Sequence, residues 1–241
     1  MGLALIVPAY NEAALVPLFE KHLLDGAVIS HFDEVVLVDD GSSDNTQSAM
    51  NLLAERSPQV RVVSHRRNRG LGAAIRSGIV EASSSHVCWA PIDQSFDLQE
   101  ILALAKHRDS EAVILFRRIL RDEPARNLVS FLAHYLFRLL FGCDVRHQSG
   151  LFLMPRRAFI ENMPITQRAI SNLEFIVRLK RSGVETTIVD INCSPRVRGR
   201  SRTFSLRSIL RSGRELIGLL ITEPGLVRRR TQRQSQDRLS G

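Results

Sequence analysis

The chain has 241 residues, of which 44% are hydrophobic and 24% charged, enough for one large domain with an appendage and a real core. Its net charge of +8 favours nucleotides, nucleic acid or an anionic lipid surface as partners. No stretch reaches the roughly 18–20 apolar residues of a membrane-spanning helix, and the scattered Cys88, Cys143 and Cys193 lack disulfide or zinc spacing.

In chain order, residues 3–7 predict a buried strand and 12–24 a helix. The start carries neither a basic leader nor a small-residue cleavage site, so the expectation is a cytoplasmic, reduced protein. A second strand over 34–39 ends in Asp39-Asp40-Gly41-Ser42-Ser43-Asp44, where Gly41 supplies a turn and Ser43 or Asp44 caps a helix running to about 56. A third strand spans 60–64, a third helix 70–82 and a fourth strand 86–90. Such βαβα alternation implies an α/β fold with a mostly parallel sheet and helices on both faces.

The rhythm then changes. A strand at 111–116 leads into an arginine-rich turn through Arg126 and an apolar helix over 127–141. A strand at 150–154, a helix at 172–182, a strand at 185–191 and a basic amphipathic helix over 204–221 follow. The polar segment 228–241 reads as disordered. The expected organisation is a main domain over 1–203, an amphipathic, membrane-associated helix over 204–227 and a basic tail over 228–241.

Each chemistry-bearing segment falls at the carboxyl end of a predicted strand, where parallel sheets gather their ligands. The first strand delivers Val7-Pro8-Ala9-Tyr10-Asn11-Glu12, a backbone shelf on which a flat base can lie. The second delivers Asp39 and Asp40, whose carboxylates suit base N–H groups and ribose hydroxyls, or an ordinary cap and solvated turn. After the third comes His65-Arg66-Arg67-Asn68-Arg69-Gly70-Leu71-Gly72. Ile75 occupies the third glycine position of a dinucleotide fingerprint, which disfavours that role and leaves the glycines to helix packing. The fourth ends in Pro91-Ile92-Asp93-Gln94-Ser95-Phe96-Asp97. Asp93 and Asp97 can approach one Mg2+ or Mn2+ ion, while Asp97 can equally cap the next helix. Arg117, Arg118, Arg121 and Arg126 form a basic cluster that reads as a solvated run or a phosphate grip. Nearly all the positive charge is arginine, the lysines being Lys21, Lys106 and Lys180; guanidinium forks suit phosphate, and a GC-rich genome explains the choice as well.

In order, these segments resemble family 2 of the inverting glycosyltransferases, especially its dolichyl-phosphate mannosyltransferase-like branch with the GT-A fold. Residues 7–12 are similar to V-P-A-Y-N-E, 39–46 to D-D-G-S-x-D-x-T, 68–78 to N-x-G-x-G-x-A-x-x-x-G and 196–201 to R-x-x-G-x-S. The resemblance implies that Pro8, Ala9, Tyr10, Glu12 and Asp39 cradle a nucleoside, with Asp40 beside them. It implies that Asp93 holds a metal on the donor diphosphate and that Arg118, Arg121, Arg126 and Arg196 neutralise donor and acceptor phosphates. Ser149, Gly150, Glu174 and Ser201 fall on the acceptor side. The chain departs from the family's D-x-D, reading Asp93-Gln94-Ser95, so Asp97 supplies the second carboxylate; His147 stands where an aspartate is common.

The implied reaction moves a sugar from a nucleoside-diphosphate sugar to a polyprenyl phosphate. Transfer to a glycolipid or polysaccharide hydroxyl is the alternative, with Glu174 as a conceivable base or else a surface or capping residue. An inactive nucleotide-sugar-binding subunit of a membrane complex is the non-enzyme reading. Low aromatic content disfavours nucleic acid. The apolar stretch 131–141 is either core or a lipid-facing surface. The late helix suits attachment to an anionic membrane or packing against a partner helix.

Overall fold

The computed structural model describes residues 2–24, 28–93, 113–118, 124–142, 148–168, 170–191 and 206–226. Strand β1 (Leu3–Ala9) is buried along its whole length, as an apolar run without alternation demands when both faces of a sheet are covered. Strand β2 (Glu34–Asp39) pairs with it in parallel on one side and β4 (His86–Trp89) on the other; β3 (Val60–Ser64) extends the sheet in parallel beyond β2. With β5 (Val113–Arg118), β6 (Gln148–Pro155) and β7 (Thr186–Ile191), the seven-stranded sheet has the order β3-β2-β1-β4-β6-β5-β7. Strand β6 runs antiparallel to both β4 and β5, and β5 pairs in parallel with β7. Two reversals restore the direction, so β5 and β7 end at the same edge of the sheet as β1 to β4.

Among the described residues seven helices accompany these strands: α1 (Val16–Leu24), α2 (Thr46–Arg56), α3 (Leu71–Glu81), α4 (Pro124–Phe141), α5 (Arg156–Glu161), α6 (Ser171–Ser182) and α7 (Leu206–Thr222). Helix α1 starts later than the sequence suggests, because residues 12–15 close a turn in which Leu15 N–H donates to the Glu12 carbonyl at 2.8 Å. Asn45 occupies the cap position of α2 without a side-chain bond, and Asp44 instead accepts the Thr46 N–H at 3.0 Å. Helix α4 opens at Pro124, a position where proline's missing N–H costs nothing, so Arg126 belongs to the helix and not to the preceding turn.

Helix α3 lies on β1 and β2 at van der Waals distance because of Gly78. A Cβ there would stand 2.4 Å from Ile6 Cγ2 and 3.0 Å from Val38 Cγ2. Gly70 and Gly72, the glycines expected to pack the helix on the sheet, instead face Gln167, Arg168 and Ser171: a Cβ would stand 2.8 Å from the Gln167 carbonyl oxygen at Gly70 and 2.2 Å from Ser171 Oγ at Gly72. The main core surrounds the sheet and includes Phe152, Phe159 and Phe175, with ring centroids 4.9–5.6 Å apart. Cys88 lies in this core, and burial pushes its thiol up, which makes it inert. A second cluster, including Phe137, Phe141, Ile176, Val177 and Leu219, joins α4, α6 and α7. Cys143, Cys193 and the tail over 228–241 lie outside the described residues.

Glu34, at the start of β2, accepts hydrogen bonds from Ser83 N–H at 2.8 Å and Ser84 N–H at 2.5 Å and pairs with Arg61. Burial opposes its charge, but the bonds from Ser84, Arg61 and Ser83 outweigh it and hold the carboxyl below its ordinary value of 4.5. A lowered native pKa contributes stability that is present above the unfolded value and lost as pH falls through the native one. Glu34→Gln should therefore cost about 1.5–3 kcal/mol near neutral pH and show a shallower loss below pH 4.5, read by urea unfolding across a pH series.

Candidate functional site

The register of the sheet sets the strand ends level. Ala9 pairs with Asp39, and Asp39 with Ser64, so the loops after β1, β2 and β3 leave side by side. Strand β1 sits between β2 and β4, where the direction of winding reverses; open α/β sheets bind ligands in the crevice at such a point.

Five polar residues stitch the first two loops together. Asn11 takes a left-handed backbone with φ 54°, which asparagine tolerates better than most residues. Its Oδ1 accepts Ser43 N–H at 2.8 Å, while Asn11 N–H donates to Ser42 Oγ at 2.9 Å. Glu12 N–H donates to Thr46 Oγ1 at 2.8 Å, and Thr46 Oγ1 in turn donates to Asp44 Oδ1 at 2.5 Å. Burial works against the Asp44 charge, but hydrogen bonds from Thr46 and Ala13 prevail and lower its pKa. The result is a rigid shelf carrying Pro8 and Ala9, both buried, and Tyr10, half-buried.

The paired carboxylates divide their labour. Asp39 is 2% exposed and accepts the Ser42 N–H at 3.1 Å, closing the turn at the strand end. Asp40 accepts His65 Nδ1–H at 2.7 Å, Arg69 N–H at 2.9 Å and Gly70 N–H at 2.7 Å. Its contacts thus hold the loop after β3, a different task from the direct nucleoside contact expected of it. Gly41 lets that loop close in: it has φ 70°, and a Cβ would stand 2.4 Å from the Arg67 carbonyl carbon.

Strand β4 ends through Ala90, whose N–H donates to the Ile6 carbonyl at 3.0 Å, and Asp93 follows with 7% exposure. Among the described residues no group of three His, Cys, Asp or Glu side chains is gathered for a metal. Asp93 is a single hard-oxygen donor beside the switch point, which fits a cation that completes its shell with substrate phosphate and water.

On the far half of the sheet the backbone brings further expected positions to this edge. Arg118 closes β5, opposite Ile191 at the end of β7, while Ser149 and Gly150 open β6, where Gln148 pairs with Arg117. Arg126 lies in the first turn of α4. Asp97, Arg121, Arg196, Ser201 and His147 lie outside the described residues.

Glu174 is neither at the surface nor a helix cap. Its fully buried carboxylate accepts Ile165 N–H at 2.9 Å, Thr166 N–H at 2.9 Å, Thr166 Oγ1–H at 2.6 Å and Arg178 Nε–H at 2.7 Å. The segment it holds supplies the Gln167 carbonyl to Ala73 N–H at 3.0 Å, in the first turn of α3.

Sequence reasoning passed over Asn11, Ser42, Thr46 and His65, the residues that fix the loops. The available signal was the run of small polar residues in register at neighbouring strand ends.

The sequence profile described as "Glycosyl transferase family 2" matches residues 4–162. A bactoprenol glucosyl transferase of Shigella phage SfV is 28% identical over 211 residues, covering 84% of this chain and 66% of that relative. A dodecaprenyl-phosphate galacturonate synthase of Rhizobium johnstonii is 30% identical over 166 residues, covering 66% of this chain and 49% of that protein. Glucosyl-3-phosphoglycerate synthase from Mycobacterium tuberculosis, solved with Mn2+, uridine diphosphate and phosphoglyceric acid, superposes with a TM-score of 0.66 at 18% identity. That match covers 92% of this chain and 78% of the other, and it shows the same α/β fold.

Gly41→Ala should destabilise the protein by at least about 1–3 kcal/mol, since the new Cβ meets backbone and the conformation is left-handed. Thermal and urea unfolding measure the loss, and an unchanged midpoint would contradict the loop contact described above.

Proposed function

The chain belongs to glycosyl transferase family 2, and we propose that it is an inverting glycosyltransferase that moves a sugar from a nucleoside-diphosphate sugar to a polyprenyl-phosphate acceptor. One observation carries the reading: buried Asp39 and Asp93 stand at the ends of strands flanking β1, beside a stitched backbone shelf at the switch point. The two sequence relatives, a bactoprenol glucosyl transferase and a dodecaprenyl-phosphate galacturonate synthase, support a lipid acceptor. The chain spans only about two thirds or less of each relative's length, so this acceptor belongs to the proposal.

In this reading Pro8, Ala9 and Tyr10 bed the nucleoside, and Asp39 and Glu12 orient it. Asp40 contributes through the loop it holds. Asp93, with Asp97, would hold Mg2+ or Mn2+. When bound, the cation neutralises charge on the leaving diphosphate. Arg118, Arg121, Arg126 and Arg196 supply fixed positive charge for the diphosphate and the acceptor phosphate, where charge develops during transfer. Ser149, Gly150 and Ser201 belong to the acceptor side, and Glu174 serves it by holding the 165–166 backbone.

The acceptor's phosphate oxygen forms the new bond to the anomeric carbon as the bond to the donor's β-phosphate oxygen breaks, in line and with inversion. The nucleoside diphosphate departs with the electron pair. A lipid phosphate is already an anion, so no proton needs to move. A sugar hydroxyl would require a base, and the carboxylate considered for that task, Glu174, is enclosed and ion-paired.

The same reading places the protein at the cytoplasmic face of a membrane. Among the described residues no helix is long and apolar enough to cross one. Helices α4 and α7 share the second core cluster on one side and expose Phe131, Tyr135, Leu139, Leu210, Ile217 and Ile221 on the other, with exposed Arg138, Arg211 and Arg214 interspersed. Apolar side chains set among guanidinium groups suit the headgroup region of an anionic bilayer.

Incubation with a panel of nucleotide sugars, Mg2+ or Mn2+ and a polyprenyl phosphate should yield glycosylated lipid phosphate. Product only on a glycan hydroxyl, or nucleotide binding without turnover, would overturn the proposal. In that assay Asp93→Ala should lower metal-dependent kcat by a factor of about 100 or more, and an unchanged rate would remove Asp93 from the site. Leu210→Glu with Ile221→Glu should weaken co-sedimentation with anionic vesicles while leaving the folded core intact. Full retention would exclude α7 from the membrane contact. Truncation is a poorer test, since it removes Leu219 and Leu226 from the core.

A further inference from the structure

The loop after β3 carries three cations, Arg66, Arg67 and Arg69, and has no regular structure of its own. It is nevertheless pinned to the donor side of the site at both ends. His65 N–H donates to the Asp39 carbonyl at 2.9 Å, extending the β2–β3 ladder by one bond. Asp40 then gathers the His65 ring and the Arg69 and Gly70 amides around one carboxylate. The side chains of His65 and Asp40 are 6% and 5% exposed, so this pair is shielded from competing water.

An ionised carboxylate can only accept, so the proton on the neutral imidazole is placed at Nδ1. Nε2 is then the acceptor for the Ser77 Oγ–H, 2.9 Å away on α3. The ring therefore bridges three elements: the end of β2, the start of the loop and the body of α3. Between the anchors the loop backbone at Arg67 and Asn68 is pressed against Gly41, in the turn immediately after Asp39 and Asp40. Arg168 adds a bond from outside, donating to Asn68 Oδ1 at 3.3 Å. Displacement of this loop would open the wall next to Asp39.

We propose that His65, acting through Asp40, is a positioning residue for donor binding: it fixes the arginine-bearing loop against the Asp39–Gly41 turn and so sets affinity for the nucleoside diphosphate. The inference rests on the transferase reading above. It differs from that reading in assigning to His65 no contact with substrate, only the placement of a wall.

The two ring nitrogens can be replaced one at a time. An asparagine amide nitrogen occupies nearly the place of imidazole Nδ1 and can still donate to Asp40; a glutamine amide nitrogen reaches the place of Nε2 and Ser77. The full-length chain and its His65→Phe, His65→Asn and His65→Gln variants would be titrated with uridine and guanosine diphosphates in the presence of Mg2+, and assayed for transfer at saturating donor. The expected result is tenfold or weaker nucleotide binding in His65→Phe and His65→Gln, recovery to within threefold in His65→Asn, and a kcat changed less than threefold while KM for the donor rises. A purely structural role would lower thermal stability in all three variants without separating Asn from Gln. Equal nucleotide affinity in Asn and Gln variants, or wild-type affinity in Phe, would overturn the inference and leave the transferase reading standing. Failure of the wild type to bind either nucleotide would overturn both. Should His65→Phe fail to fold, the Asn and Gln pair still decides.

Discussion

Parallel pairing of β1 with β2 on one side and β4 on the other is the constraint on which the rest of the molecule depends. Parallel strands with level ends deliver successive loops to one edge, and the winding reverses at β1, the kind of point at which open α/β sheets bind ligands. Residues separated by more than fifty positions, such as Asp39 and Asp93, reach that edge only through this pairing. The antiparallel β6 does not disturb the arrangement. Because it is reversed against both β4 and β5, its beginning and the ends of β5 and β7 fall on the same edge. Backbone topology thus brings the arginine, serine and glycine positions of the second half to the edge occupied by the carboxylates of the first.

At that edge, much of the polar chemistry is spent on the protein itself. Asn11, Ser42, Asp44 and Thr46 satisfy backbone amides that two adjacent loops would otherwise leave unpaired, and buried amides left unpaired are costly. Asp40 and Glu174 do the same for two other segments, each drawing several donors onto one carboxylate. A site that must discriminate donor atoms needs walls that do not move, and short polar side chains hold loops more rigidly than long ones. The price is a dense charge pattern, which explains why a protein of net positive charge places several carboxylates close to this edge.

Much of this was legible in the sequence. Strands β2 and β3 run between the residues expected, because an apolar run bounded by Asp-Asp-Gly or His-Arg-Arg leaves little freedom for the ends. The family followed from four short motifs in order. The division between Asp39 and Asp40 was not legible, since adjacent carboxylates look equivalent until the fold shows which one meets the amides of a loop nearly thirty residues away. Glu174 was misjudged for a related reason: helical spacing shows which face a residue shares, but not that a loop nine residues upstream will wrap onto it. The start of α4 was placed too late because the arginine-rich stretch through Arg126 reads as a turn, while Pro124 is well suited to a first helical position.

Helices α4 and α7 bury one face in the protein and leave apolar side chains exposed on the other. Their inner faces meet α6 in the second core cluster, and Glu215 of α7 reaches the Gln167 N–H at 3.4 Å. Burial pushes the Glu215 carboxyl above its ordinary value, against the pull of Gln167 and Arg168. The outer faces keep aromatic and aliphatic side chains exposed beside arginines. An enclosed Glu174 points the same way, because a site without that base is better matched to an acceptor oxygen that arrives already ionised. A phosphate on a long apolar lipid is such an acceptor and is confined to a bilayer surface. An exposed apolar face on helices joined to the catalytic domain is the geometry that reaching it requires. An exposed apolar helix face and a transfer that needs no proton movement are both what the proposed acceptor chemistry calls for.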